Sequence, residues 1–163
     1  MFYLAYNESL LLPASNIHAG LRARLSGPDD SNYADDDDQG WVRISADDID
    51  DIGTAGIVKR IVEHVGNSKV YLSIDIDVLD PGTAPGTGTP EAGGWTTREL
   101  IRILRGIEGL DVVGVDVVEV APAYDWAENT ALAASQVVFE VLSSLTKKIR
   151  AAAKVEAGAK DEL

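Results

Sequence analysis

Short apolar runs alternate with amphipathic segments along the chain, and this pattern predicts strands that alternate with helices. Lys69–Asp77 (KVYLSIDID) and Asp111–Val120 (DVVGVDVVEV) are predicted to be buried strands, and the first is apolar on both faces until its end. A strand of this kind belongs inside a parallel sheet that helices cover. Shorter strands are predicted at Ser15–Arg22 and Trp41–Ser45.

Helices are predicted between and after these strands. Thr96 and Glu99 form the Thr-x-x-Glu pattern of a capping box, which predicts a helix over Thr96–Gly109. An earlier helix is predicted to be capped by Thr54 and stopped by Gly66. The apolar face of that helix comprises Ile57, Ile61, Val62 and Val65. The remaining predicted helices are residues 1–11 and 128–152. This alternation predicts a doubly wound α/β layer structure.

The composition excludes several classes of protein. With 27 acidic and 14 basic residues, the chain has a net charge of −13, which argues against nucleic acid as a partner because phosphates would be repelled. A cationic ligand is compatible with this charge. No apolar run approaches the length of a membrane span. The absence of cysteine excludes disulfides, thiolate nucleophiles and zinc–thiolate sites.

An acidic segment, Gly27–Gly40 (GPDDSNYADDDDQG), has no periodicity and many turn-forming residues. It includes four consecutive aspartates, Asp35–Asp38. Calcium-binding EF-hand loops need regularly spaced oxygen ligands, a central glycine and a terminal glutamate, and this segment lacks that arrangement. We therefore predict a solvated loop.

The two ends of the chain give conflicting indications of location. We divide the chain into one domain, residues 1–150, and a flexible tail, residues 151–163, which ends in KDEL. KDEL is a retention signal of the endoplasmic reticulum, but the first residues lack the basic stretch and cleavage site of a signal peptide. The lumen of the endoplasmic reticulum is expected if the full-length protein has a signal peptide, and the cytoplasm otherwise.

Two aspartates, Asp75 and Asp77, alternate with isoleucines at the end of the first buried strand. In a regular strand their side chains would lie on the same face, roughly 7 Å apart. Such carboxylates repel each other unless a cation or strong hydrogen-bond donors compensate, and oxygen ligands suit Mg, Ca or Mn. Alternatively, Asp77 or Asp80 caps the turn that begins at Asp80–Pro81.

The second buried strand carries Asp116 and Glu119, which lie on opposite faces of a regular strand. Ligands of open α/β sheets bind outside the carboxyl ends of the strands. Glu119 is the residue closer to that end and is therefore the better candidate for a ligand carboxylate. Asp116 is expected to accept hydrogen bonds from neighbouring loops.

Two long segments resemble a known family. SIDIDVLDPGTAPGTGTPEAGGWTTREL (73–100) and VVGVDVVEVAPAYDWAENTALAAS (112–135) are similar to the C-terminal half of the ureohydrolases, the arginase and agmatinase family, and most of all to agmatinases. The resemblance extends from Met1 to about Leu145 and implies a three-layer αβα fold with a mostly parallel sheet, of which the N-terminal half is absent. It also implies trimers or hexamers that hydrolyse a guanidino compound, such as agmatine, to urea and an amine.

The resemblance assigns roles to three carboxylates. Asp75 and Asp77 match ligands of a pair of manganese ions, and Glu119 matches the carboxylate that binds the substrate guanidinium. The other ligands of the family lie in Gly-Gly-Asp-His and Asp-x-His-x-Asp motifs, which do not occur here. His18 and His64 are expected to be packed or solvated instead. We therefore expect this truncated chain to be inactive alone; the alternative is a non-catalytic binding or regulatory subunit derived from a ureohydrolase.

Overall fold

In the computed structural model, residues 2–25 and 33–161 are described, with side chains as far as residue 154. The helices are α1 (Phe2–Asn7), α2 (Ala34–Asp38), α3 (Asp48–Val65), α4 (Thr97–Gly106) and α5 (Asn129–Asp161). The strands are β1 (Ile17–Leu21), β2 (Val42–Ser45), β3 (Lys69–Asp75) and β4 (Asp111–Val118). Strands and helices alternate, as the sequence predicts, and the chain has the α/β class with parallel strand pairing.

The four strands form two parallel pairs. β1 pairs with β2 and β3 pairs with β4, as two separate two-stranded sheets within the described residues. The longer pair aligns Lys69 with Asp111 at one end and Asp75 with Val118 at the other. Parallel pairing brings the carboxyl ends of β3 and β4 to one edge. The residues that follow each strand therefore leave the sheet side by side.

The apolar core lies between the strands and the three long helices. Each fully buried aliphatic side chain contributes about 1.5–3 kcal/mol to stability. Where α3 and α4 approach closely, a Cβ on Gly106 would come within 2.5 Å of the Val58 side chain, so the glycine permits the contact. The core includes Ile44, Ile57, Ile61, Ile74, Ile76, Leu79, Leu100, Ile103, Leu104 and Val137.

One tryptophan joins the two sheets. The indole nitrogen of buried Trp95 donates to the carbonyl oxygen of Ala46, just after β2, at 3.1 Å. The backbone of Trp95 pairs with that of Leu79, shortly after β3. The predicted capping box follows at once: Thr96 N donates to Glu99 Oε2 at 2.7 Å, and Glu99 N donates to Thr96 Oγ1 at 3.3 Å.

The predicted strand Lys69–Asp77 is too long, because β3 ends at Asp75. The Asp75 carboxylate accepts the backbone N–H of Asp77 at 3.2 Å, and residues Ile76–Val78 form a single 3-10 turn. A carboxylate that bonds the backbone two residues on is a common way to begin a turn. The two aspartates therefore do not share one strand face.

Further elements differ from the predictions in detail. α3 begins at Asp48 instead of Thr54, but a non-helical Gly53 (φ 63°, ψ 176°) divides it just before Thr54. Ile57, Ile61 and Val65 are buried, whereas Val62 is 38% exposed, so the predicted apolar face of this helix is too wide. The helix predicted over residues 1–11 is shorter in the structure, where α1 covers only Phe2–Asn7.

The acidic segment is partly helical, not a loop throughout. Four of its aspartates lie in α2, where Asp36 and Asp37 approach Arg43 of β2 at 3.7 and 2.6 Å. These ion pairs hold the short helix against the neighbouring strand. Residues 27–32 of the predicted loop lie outside the described residues.

The last helix is longer than the predicted 128–152. α5 continues to Asp161, so the backbone of residues 151–161, which we expect to be a flexible tail, is helical. Across residues 2–25 and 33–161, no helix combines the length and apolarity needed to cross a bilayer.

Gly94 provides a test of the loop between β3 and α4. A Cβ at this position would lie 2.5 Å from Asp80 N and 2.6 Å from Leu79 C, which are backbone atoms that cannot move aside. We expect Gly94→Ala to lower the free energy of unfolding by about 1–3 kcal/mol, measured by urea denaturation. The matched control is Gly109→Ala, which meets no atom within 4 Å. Equal stability of both variants would contradict the packing described here.

Candidate active site

Asp75 is the last residue of β3, and its carboxyl group is partly buried. Burial raises the pKa of this group to about 6, although the N–H that it accepts from Asp77 acts in the opposite direction. Repulsion from the carboxylates of Asp77 and Glu119 raises the pKa further. The three acids are therefore close enough to influence one another, and no positive charge among the described residues offsets the ionised form of Asp75.

Asp77 projects from the 3-10 turn that follows β3. Its Oδ2 atom accepts a hydrogen bond from Thr89 Oγ1 at 3.0 Å. Thr89 belongs to the glycine- and proline-rich loop between β3 and α4, so this contact folds the loop back over the end of its own strand. The turn and the loop together determine where the Asp77 carboxylate lies.

Glu119 follows β4 directly and has a left-handed backbone conformation, with φ at +62°. A glutamate in this region is strained, and such residues cluster at functional sites. A Cβ on Gly88 would lie 3.2 Å from Glu119 Oε2, so the carboxylate of Glu119 is adjacent to the same loop that carries Thr89. The left-handed backbone at Glu119 thus directs its side chain toward the loop that follows the neighbouring strand β3.

The loops that follow β3 and β4 are bonded to each other. Ala121 N donates to Gly86 O at 2.8 Å, and Gly86 N donates to buried Thr130 Oγ1 at 2.7 Å. The Asp125 carboxylate accepts the N–H groups of Thr130 and Ala131 at the start of α5, at 3.1 and 2.9 Å. These bonds fix the position of Glu119 relative to Asp77.

The sequence alone did not indicate three residues that shape the site: Asp125, Thr130 and Arg22. An aspartate before a helix is a familiar capping signal, so the sequence could have indicated the role of Asp125. Arg22 lies just beyond β1, and its guanidinium donates to the carbonyl oxygens of Asp77 and Glu91, far along the chain. No local pattern marks an arginine of this kind.

The two histidines do not contact the site carboxylates Asp75, Asp77 and Glu119 in the described structure. The His18 ring stacks on Trp41 with 4.1 Å between the ring centroids, and burial lowers the pKa of His18. His64 Nε2 lies 3.0 Å from the carbonyl oxygen of Asn16. Both rings therefore have structural contacts elsewhere in the fold, in agreement with the expectation that they are packed.

Two other aspartates have structural roles. Asp80 accepts the N–H groups of Gly82 and Gly93, each at 2.8 Å, so it is Asp80 that caps the turn. Asp116 Oδ2 accepts the Tyr71 hydroxyl at 2.8 Å. The expectation that Asp116 serves neighbouring loops is wrong, because Tyr71 lies on the adjacent strand β3.

The carboxylates fit part of a metal site. Asp75 and Asp77 present hard oxygen atoms of the kind that bind Mn²⁺ and similar ions, and the poorly compensated charge of Asp75 favours a cation. Within residues 2–25 and 33–161, however, no group of three or more potential ligand side chains is arranged to hold an ion. The two aspartates therefore suit a larger ligand set and do not form a complete site alone.

Parallel strand pairing, with acids at the carboxyl end of the β3–β4 pair, defines an α/β protein whose candidate site lies at that edge. The Arginase family model matches residues 1–143, and the chain belongs to this family. The sequence resemblance to ureohydrolases is thus confirmed.

The relatives of this chain include named agmatinases. It is 58% identical over 146 residues to "Putative agmatinase 1" of Schizosaccharomyces pombe, covering 90% of this chain and 36% of that protein. It is 44% identical over 142 residues to the "Agmatinase" of Enterobacter sp., covering 87% of this chain and 43% of that protein. The chain thus spans well under half the length of these two relatives.

Solved structures share the fold. A hypothetical agmatinase from Burkholderia thailandensis matches with a TM-score of 0.81 and 37% identity, covering 91% of this chain and 44% of the other. Proclavaminate amidino hydrolase from Streptomyces clavuligerus matches with a TM-score of 0.79 and 39% identity, covering 88% and 47%. The predicted ureohydrolase-like αβα fold is therefore confirmed.

The raised pKa of Asp75 predicts how stability depends on pH. Because the folded state holds this proton more tightly than the unfolded state, where the pKa is 3.8, the ionised group destabilises the fold at pH 7. In a chelating buffer, we expect Asp75→Asn to raise the thermal midpoint at pH 7. Since solvent screens this partly exposed group, the gain should be on the order of 1 kcal/mol or less.

The gain from Asp75→Asn should shrink as the pH falls through 6 and vanish below about pH 4, where wild-type Asp75 is also neutral. Glu63→Gln on the exposed face of α3 is the control and should show no such trend. An Asp75→Asn variant with a lower midpoint at pH 7 would contradict the assignment.

Proposed function

We propose that this chain supplies two metal ligands and the guanidinium-binding carboxylate of an agmatinase-like ureohydrolase. Such an enzyme hydrolyses a guanidino compound, agmatine in the first instance, to putrescine and urea. The observation that carries the proposal is the convergence of Asp75, Asp77 and Glu119 at one edge of the β3–β4 pair. Its support from outside the site is the similarity to named agmatinases.

Asp75 and Asp77 would hold manganese, together with ligands beyond those described here. When bound, the metal lowers the pKa of a water molecule so that hydroxide forms near neutral pH. The chain prepares its two ligands in different ways. Partial burial leaves the Asp75 carboxylate poorly compensated, and the Thr89 hydroxyl orients one oxygen of Asp77.

Glu119 would bind and orient the substrate. A guanidinium is planar and presents parallel N–H groups, which one carboxylate accepts through two charge-assisted hydrogen bonds. The strained backbone of Glu119 fixes the direction of this carboxylate beside Gly88, where the absence of a side chain leaves room next to Oε2. The net charge of −13 also favours the approach of a cationic substrate.

A hybrid enzyme tests the proposed function. Residues of this chain would replace the matching 142-residue segment of the Enterobacter agmatinase, whose own activity provides the reference. We expect the hybrid to release urea from agmatine in the presence of manganese. Because Asp75→Asn and Asp77→Asn each remove a ligand charge, each should lower kcat/KM at least about a hundredfold.

Glu119→Gln in the same hybrid should act mainly on substrate binding, because the amide cannot neutralise a guanidinium. A loss of roughly 2–4 kcal/mol in transition-state stabilisation is expected, since a charge-assisted pair is replaced by a neutral contact. Glu63 is a surface carboxylate that pairs with Lys59, so Glu63→Gln is the control and should leave activity unchanged. A soluble hybrid without activity, or one indifferent to Glu119→Gln, would contradict the proposed roles.

The 163-residue chain assayed alone should release no urea, because two carboxylates cannot organise a pair of metal ions. Urea release from agmatine would be followed with and without manganese. Activity that disappears in Asp75→Ala/Asp77→Ala would contradict this expectation.

The second candidate function, a non-catalytic subunit, is favoured by the same shortage of ligands in the described residues. It would be supported if the chain associates with a full-length relative and changes its activity.

A further inference from the structure

Arg22 connects β1 to the loop that carries the candidate ligand Asp77. Its Nη2 atom donates to the carbonyl oxygens of Asp77 at 2.5 Å and Glu91 at 2.6 Å. Its Nε atom donates to Glu91 O at 3.0 Å, and a longer contact reaches Leu79 O at 3.5 Å. A single side chain therefore bonds to both ends of the loop.

The contacts of Arg22 fix Asp77 in two ways. The bond to Asp77 O holds the backbone of the 3-10 turn directly. The bonds to Glu91 hold the far end of the loop, close in sequence to Thr89, whose hydroxyl donates to Asp77 Oδ2. Asp80 closes the inner part of the loop through Gly82 and Gly93 but makes no bond to Asp77 itself among the described residues.

The chemistry of these bonds matters for a metal ligand. Arg22 donates to carbonyl oxygens and makes no ion pair with a carboxylate within the described residues. The carboxylates of Asp75 and Asp77 therefore keep their charge available for a cation. A planar guanidinium can serve two carbonyls in different directions at once, whereas the ammonium of lysine has a different shape and reach.

We propose that Arg22 is a positioning residue, which holds the loop from Asp77 to Glu91 so that the Asp77 carboxylate and Thr89 stay in the site. The consequence for metal binding rests on the proposed function, whereas the consequence for the loop does not. Arg22 acts on the loop and not on the substrate in this proposal, since its Nε and Nη2 atoms donate to backbone carbonyl oxygens.

Hydrogen exchange on the full 163-residue chain tests the first consequence. We expect Arg22→Gln to speed amide exchange in peptides spanning residues 77–91 by about tenfold or more, with peptides from α4 and α5 unchanged. Arg22→Lys should restore part of the protection. Arg24→Gln, the exposed neighbouring arginine, is the matched control. Unchanged exchange in the loop, or an increase spread equally over the helices, would overturn the proposal.

Equilibrium dialysis of manganese with the hybrid enzyme tests the second consequence. Arg22→Gln should weaken manganese binding about tenfold while the KM for agmatine, which depends on Glu119, changes little. Thr96→Ala removes a helix cap and serves as the control for stability alone, so its manganese affinity should match that of the unaltered hybrid.

The two experiments distinguish a failure of the Arg22 proposal from a failure of the proposed function. If Arg22→Gln frees the loop but binds manganese as tightly as Thr96→Ala, Arg22 is only structural and the proposal is overturned. If the unaltered hybrid binds no manganese, the proposed function fails, and hydrogen exchange alone then decides whether Arg22 positions the loop.

Discussion

The parallel pairing of β3 with β4 is the constraint on which the candidate site depends. Because the two strands run in the same direction, Asp75 ends opposite Val118, and Glu119 follows immediately. Antiparallel pairing would have separated these acids by the length of the strands. The apolar residues that bury the pair, among them Ile74 and Ile76, thus bring like charges together at its edge. The edge becomes a place where a cation is favoured, since among the described residues only the N–H of Asp77 offsets the charge of the partly buried Asp75 carboxyl.

The loops after the strands convert this closeness into a defined arrangement. Backbone bonds between Gly86 and Ala121, and the buried hydroxyl of Thr130, tie the two loops together. The strained backbone of Glu119 is held by these neighbours, because a left-handed glutamate persists only where the surrounding structure determines it. Trp95 connects the same region to the β1–β2 pair through Ala46. Both sheets therefore contribute to the position of the acids, although all three acids lie at the edge of the β3–β4 pair.

The sequence predicted those features that depend on local pattern. Alternating apolar runs indicated the parallel strands, and the Thr96–Glu99 pattern gave the start of α4. The end of β3 was missed because the chain turns where the Asp77 N–H donates to the Asp75 carboxylate. The alternation of apolar and polar residues does not reveal a hydrogen bond of this kind. Arg22 was missed for a different reason. Its acceptors lie 55 and 69 residues away, so only the folded chain reveals what the guanidinium does.

Two aspartates at the same strand end show how the fold separates structural acids from acids available to a ligand. Backbone N–H groups of Gly82 and Gly93 fill the acceptor positions of Asp80 and lower its pKa. Burial raises the pKa of Asp75, which accepts only the N–H of Asp77 among the described donors. A carboxylate whose charge the backbone already satisfies gains little from a metal ion, whereas one that is desolvated and poorly compensated gains much. The physical difference between the two environments, and not the shared residue type, is what makes Asp75 the ligand candidate.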